Sequence, residues 1–161
     1  VRPGGRAARR TETCAADLHH ETREGRPLRH GDRPAAREHT LQAGRKLLAK
    51  GPKFVIVKRG EHGSYLFGEK KEHFFSCSAY PLHSVFDPTG AGDSFLGGLV
   101  GWLAANGKTK PTFDDLKSAV VHGSVVASYT CEAFSTHKLQ TVTPLDVAQR
   151  IAELKLYTQF A

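Results

Sequence analysis

Seven consecutive residues, Asp87-Pro88-Thr89-Gly90-Ala91-Gly92-Asp93, carry the densest chemistry in the chain. Two carboxylates bracket a turn of small residues, and the apolar run Ser94 to Ala105 follows at once. Gly90 and Gly92 have no side chain, so a bulky anion can approach the backbone there. The run beyond them has helical character. The first N–H groups of a helix lack intrahelical acceptors and sit at the positive end of its dipole. Such a turn feeding such a helix makes a phosphate site. Asp93 falls in the first turn, beside the anion. A carboxylate there repels phosphate, so its presence points to a task of its own, such as taking a proton from an incoming hydroxyl. The plain alternative is a glycine-rich helix start that happens to be acidic.

The seven residues resemble the second signature of the ribokinase-like (PfkB) family of carbohydrate kinases. That signature runs Asp, a small residue, any residue, Gly or Ala, any residue, Gly, Asp, at a helix start. The resemblance covers residues 41–156. It implies an α/β chain, the C-terminal half of a ribokinase-like three-layer α/β/α fold, that moves the γ-phosphoryl group of ATP onto a sugar or nucleoside hydroxyl. It makes Asp93 the catalytic base and the amides of Gly90, Ala91, Gly92 and Asp93 an anion hole. Gly60 and Gly63, in a Gly-x-x-Gly turn, would border the nucleotide phosphates. Asp87 would hold the loop, through a monovalent cation such as K+ in potassium-dependent relatives, and Mg2+ would travel with ATP. The loop from Cys131 to Thr136 would line the adenine and cation sites.

Two family motifs are absent. One is a Gly-Gly pair with an asparagine that helps hold the sugar; the other is a metal-linked Asn-x-x-Glu before the Leu41 helix. Asn106 is the only asparagine in the chain. The sugar-binding half is therefore expected to be missing, and with it the identity of the acceptor. Independent activity is in doubt on these grounds, and exposed apolar edges are expected to invite association or a separate N-terminal half. Two other readings stand beside the kinase: a non-catalytic nucleotide-binding module, and a basic nucleic-acid-binding protein.

The elements that position these residues are legible from Leu41 onward. Leu41, Leu47 and Leu48 give a helical apolar face that stops at Gly51-Pro52. Lys53 to Lys58 reads as a buried parallel strand. Ser64 to Phe67 and Glu72 to Ser76 form a hairpin, and Ser84 to Phe86 a last short strand. Lys58 and Arg59 flank the Gly60 turn; the resemblance allows them to add positive charge near the phosphates, the residues themselves read first as solvated charges, and His62 reads as an exposed loop histidine. In the helix after Asp93, the expected core stripe is Phe95, Leu96, Leu99, Val100 and Leu103. Gly97, Gly98 and Gly101 weaken that helix by roughly 1 kcal/mol each relative to Ala, so close approach of another backbone or a ligand is expected. Thr112 with Asp115, and Thr143 with Pro144, start two more helices. The buried side of the last one is read as Leu145, Val147, Ala148, Ile151, Leu154 and Leu156.

Residues 1–40 form a different unit. Val1, Leu18 and Leu28 are the only large aliphatics before residue 38, and arginine, alanine and histidine dominate. So little apolar surface does not offset the entropy of ordering the backbone, and a disordered segment is expected. The composition also matches a GC-rich coding region read out of frame, joined to a true frame near Glu38. His19-His20 with Cys14 fits no closed zinc site. The chain starts at Val1 and contains no methionine, which reads as a piece of a longer protein or as an alternative start codon.

The 161 residues suffice for one domain. Cys14, Cys77 and Cys131 lack disulfide or metal spacing and read as reduced thiols of a cytoplasmic protein. No apolar run is long enough for a membrane span. The net charge of +7 suits phosphates, but no aromatic-interleaved basic patch supports nucleic acid as a partner.

Overall fold

The computed structural model describes residues 13–17 and 39–160. A mixed four-stranded sheet is ordered β1-β2-β3-β4, with β1 spanning Thr13–Asp17, β2 Phe54–Lys58, β3 Ser64–Gly68 and β4 Phe74–Cys77. The β1–β2 pair is parallel and the other two are antiparallel. Helix α1 is Thr40–Leu48, α2 is Ala91–Ala105, α3 is Phe113–Thr130 and α4 is Pro144–Thr158.

Alternation along β2 explains the layering. Phe54 and Ile56 face α2 and α3, joined there by Leu66, Phe95, Leu99, Leu116 and Val120. Val55 and Val57 face the other way, where Phe67 and the α1 residues Leu47 and Leu48 cover them. A strand covered on both faces needs apolar residues at every position, as the run Phe-Val-Ile-Val supplies. Outside α3 lies α4, which buries Leu154 against Val125 and Tyr129. The expected α/β class and the hairpin are both present.

Four expectations change. The sequence reading places no folded element before Leu41, yet Thr13–Asp17 pairs with Phe54–Lys58 from Thr13↔Phe54 to Asp17↔Lys58. Backbone ladder bonds alone can recruit such a segment to an open sheet edge, whatever its apolar content. The rest of the arginine-rich segment and His19-His20 lie outside the described residues. Ser84 to Phe86 is loop, not strand: the amides of Phe86 and Asp87 both point to the Cys131 carbonyl, at 2.8 and 3.4 Å. Val85 and Phe86 are 57% and 72% exposed.

On α2, Phe95 and Leu99 are buried as expected, but Leu96 and Val100 are 46% and 52% exposed. Among the described residues, α3 and the sheet cover one side of this helix. Gly98 does meet a neighbour there, since a Cβ would lie 2.9 Å from Val126, whereas Gly97 and Gly101 have nothing within 4 Å. On α4, Leu145, Ala148 and Leu156 are not part of the buried side, because the helix touches the body along the Val147, Ile151 and Leu154 line.

Candidate active site

The chemistry-bearing loop sits where three elements converge: the end of β2, the start of α2 and the end of α3. Asp87 organises the loop locally. Its Oδ1 accepts the Thr89 amide at 2.9 Å, and the Thr89 backbone and hydroxyl together hold the carboxyl below its ordinary value. Pro88 O then accepts the Ala91 amide at 3.1 Å, which closes the turn. Gly90 takes the left-handed conformation, φ 82°, and a Cβ there would find only the Thr130 methyl, 4.0 Å away. That turn aims the chain into α2, whose first-turn acid is Asp93.

Of the amides read from sequence as an anion hole, one has a partner within the turn. The Ala91 N–H already donates to Pro88 O, so Ala91 serves the turn. Among the described residues, the amides of Gly92 and Asp93 donate to no protein acceptor, as first-turn amides do. Asp93 is exposed at the helix mouth.

The end of α3 braces this mouth. Thr130, only 2% exposed, donates its hydroxyl to Ser94 Oγ at 2.7 Å. The following residue, Cys131, offers its carbonyl to Phe86 and Asp87. Behind it, Arg150 lies 3.5 Å from the centre of the Tyr129 ring, bonds Ser128 Oγ at 3.0 Å and pairs with Glu132 at 2.7 Å. One guanidinium from α4 thus pins the loop after α3. Concavities of about 340 and 430 Å3 flank Arg150, and neither is lined by residues 87–93.

From the sheet side comes a residue that sequence reading ranks first as a solvated charge. Lys58 ends β2 and sends its Nζ to the Gly92 carbonyl at 3.3 Å. Alternation carries the signal: Phe54, Ile56 and Lys58 share one face. Arg59 goes elsewhere, its guanidinium 4.2 Å from the Tyr65 ring centre. Two residues beyond Lys58, Gly60 opens a short 3-10 turn at φ 58° with nothing within 4 Å of a notional Cβ. Gly63, φ 77°, is tight for a different reason, because a Cβ would run into the Cys77 carbonyl. His62 is an exposed loop residue, as expected.

This geometry suits a polyphosphate: open space at Gly60 and Gly90, unused amides at Gly92 and Asp93, and an ammonium behind them. For a divalent ion the residues offer less, since no group of three or more His, Cys, Asp or Glu gathers among the described residues.

Residues 20–142 match the pfkB family carbohydrate kinase model. The chain belongs to the PfkB family of carbohydrate kinases. The match begins upstream of the composition break near residue 38. Fructokinase from Salmonella thompson is 37% identical over 95 residues, 58% of this chain and 38% of its own. A 5-dehydro-2-deoxygluconokinase from Photobacterium profundum is 37% identical over 83 residues, 52% of this chain and 22% of its own. The chain thus spans well under half the length of these relatives. Aminoimidazole riboside kinase from Salmonella enterica, solved with aminoimidazole riboside and an ATP analog, shares the fold at TM-score 0.60 and 24% identity. That likeness covers 73% of this chain and 37% of the other. Arabidopsis thaliana ribokinase, solved with ribose and ATP, aligns at TM-score 0.55 and 25% identity over 69% and 33% of the two chains.

Proposed function

We propose that this chain carries the phosphoryl-transfer centre of an ATP-dependent kinase acting on a hydroxyl of a sugar or nucleoside. One observation carries the reading: the Asp87–Asp93 turn delivers unused amides and an exposed carboxylate to the same helix mouth. ATP with Mg2+ supplies the phosphoryl group when bound. The amides of Gly90, Gly92 and Asp93 hold the charge that develops on it, and Ala91 fixes their direction by closing the turn. Asp93 takes the proton of the acceptor hydroxyl. Gly60 leaves room beside the phosphates, and Gly63 lets the turn that borders them close against the Cys77 carbonyl. Asp87 holds the loop, and its carboxylate is the candidate ligand for a monovalent cation such as K+.

Removing the base while keeping its shape separates these roles. Asp93→Asn is expected to lower turnover by roughly 10²–10⁴-fold, with ATP affinity retained. Unchanged turnover in this variant refutes the base assignment. A second reading is a nucleotide-binding module that does not catalyse transfer. ATP binding without turnover distinguishes it from the first.

A further inference from the structure

We propose that Lys58 is a positioning residue of the phosphate site, gripping the first turn of α2 from beneath and placing a fixed positive charge behind its amides; this rests on the function proposed above. Three observations lead there. First, the Lys58 ammonium reaches the Gly92 carbonyl at 3.3 Å, so a half-buried cation stands at the positive end of a helix. That sign is wrong for the helix, whose dipole favours anions at this end, and right for a bound polyphosphate. Second, a Cβ on residue 92 would lie 2.9 Å from Lys58 Nζ. The lysine tip is thus the nearest group to the open side of Gly92, close against the first turn of α2. Third, Ser64 is the direct cross-strand partner of Lys58, so the two side chains leave the same face of the sheet. The Ser64 hydroxyl is fully buried and makes no hydrogen bond among the described residues. A buried hydroxyl left unsatisfied beside the lysine stem marks this corner as polar ground.

The ammonium has two effects on the amides. Holding the Gly92 carbonyl fixes the peptide plane that carries the Asp93 N–H. Its charge also adds attraction for each phosphate oxygen that the amides bind. Neither effect involves the adenine or the acceptor hydroxyl.

The test compares binding of ATP, inorganic tripolyphosphate and adenosine by calorimetry for the full chain, Lys58→Met and Lys58→Arg. Lys58→Met is expected to weaken ATP and tripolyphosphate alike, by about tenfold, and to leave adenosine within about twofold. Lys58→Arg is expected to recover part of the loss, because it restores charge but fits poorly under Gly92. The salt dependence of tripolyphosphate binding should flatten in Lys58→Met. Unchanged tripolyphosphate affinity in a folded Lys58→Met, or an equal loss for adenosine, overturns the role of Lys58 while leaving the proposed function standing. If Lys58→Met melts early, Lys58→Gln and the arginine variant carry the same comparison. A wild-type chain that binds neither ATP nor tripolyphosphate removes the proposed function and this role together.

Discussion

Glycines in this chain do different work at different positions, and substitution can sort them. Gly123 on α3 faces α2 so closely that a Cβ would lie 2.6 Å from the Phe95 carbonyl. Gly123→Ala must push the helices apart and is expected to cost roughly 1–3 kcal/mol. Gly97 has nothing within 4 Å, so Gly97→Ala is expected to stabilise the helix by up to about 1 kcal/mol. Urea unfolding midpoints of the two variants should move in opposite directions; parallel shifts would contradict the packing described. From sequence, Gly97, Gly98 and Gly101 look alike. Only the helix facing them decides which is crowded, and periodicity within α2 does not reveal where that helix lies. Asp93 and the Gly90 turn are legible because their chemistry is local. The Lys58 contact is not, because the partner, Gly92, is 34 residues away, and sequence alone leaves the lysine between a solvated charge and one near the phosphates.

At the scale of elements, caps explain why helix starts can be read from sequence. Thr112 and Asp115 exchange hydrogen bonds as a capping box, and Thr143 and Asp146 do the same at α4. Lys108, 2.9 Å from Asp115, together with the Thr112 amide and hydroxyl, draws that carboxyl down to about 2. Asp146 and Asp87 are shifted in the same direction. Each group holds its proton less tightly folded than unfolded, so the unfolded chain binds more protons in acid. The stabilisation is complete above the ordinary carboxyl value near 3.8 and is lost as pH falls towards 2. Urea midpoints should therefore fall between about pH 5 and about pH 2.5, and Asp115→Asn should flatten that fall. Thr112→Ala should cost about 1 kcal/mol at neutral pH. The strand expected at Ser84 to Phe86 fails for a complementary reason. Its short apolar run has the right residues, but the Phe86 amide is taken by the Cys131 carbonyl, a partner that no local pattern encodes.

On the scale of the whole molecule, one face of α2 stands uncovered by the described residues. Asp93, Leu96, Gly97, Val100, Gly101 and Ala104 follow one another at helical spacing and are all exposed. Phe86 and Phe134 add exposed aromatic surface, at 72% and 62%. Apolar surface of this kind promotes association. Sedimentation velocity is expected to show concentration-dependent self-association that Leu96→Lys with Val100→Lys reduces; a monomer insensitive to both changes would show that this face is not sticky. Periodicity alone assigns Leu96 and Val100 to the core. A hydrophobic stripe announces that something covers it, without saying whether the cover belongs to the same chain.

The central claim is that unused amides at the α2 mouth hold the terminal phosphates of ATP. Amide chemical shifts recorded during titration of the labelled chain with ATP, and separately with adenosine, test it most directly. The account predicts that the largest ATP-specific shifts fall on Gly90, Gly92 and Asp93, and that adenosine leaves those three amides in place. ATP-induced shifts confined to other parts of the chain, with these amides unmoved, would contradict it.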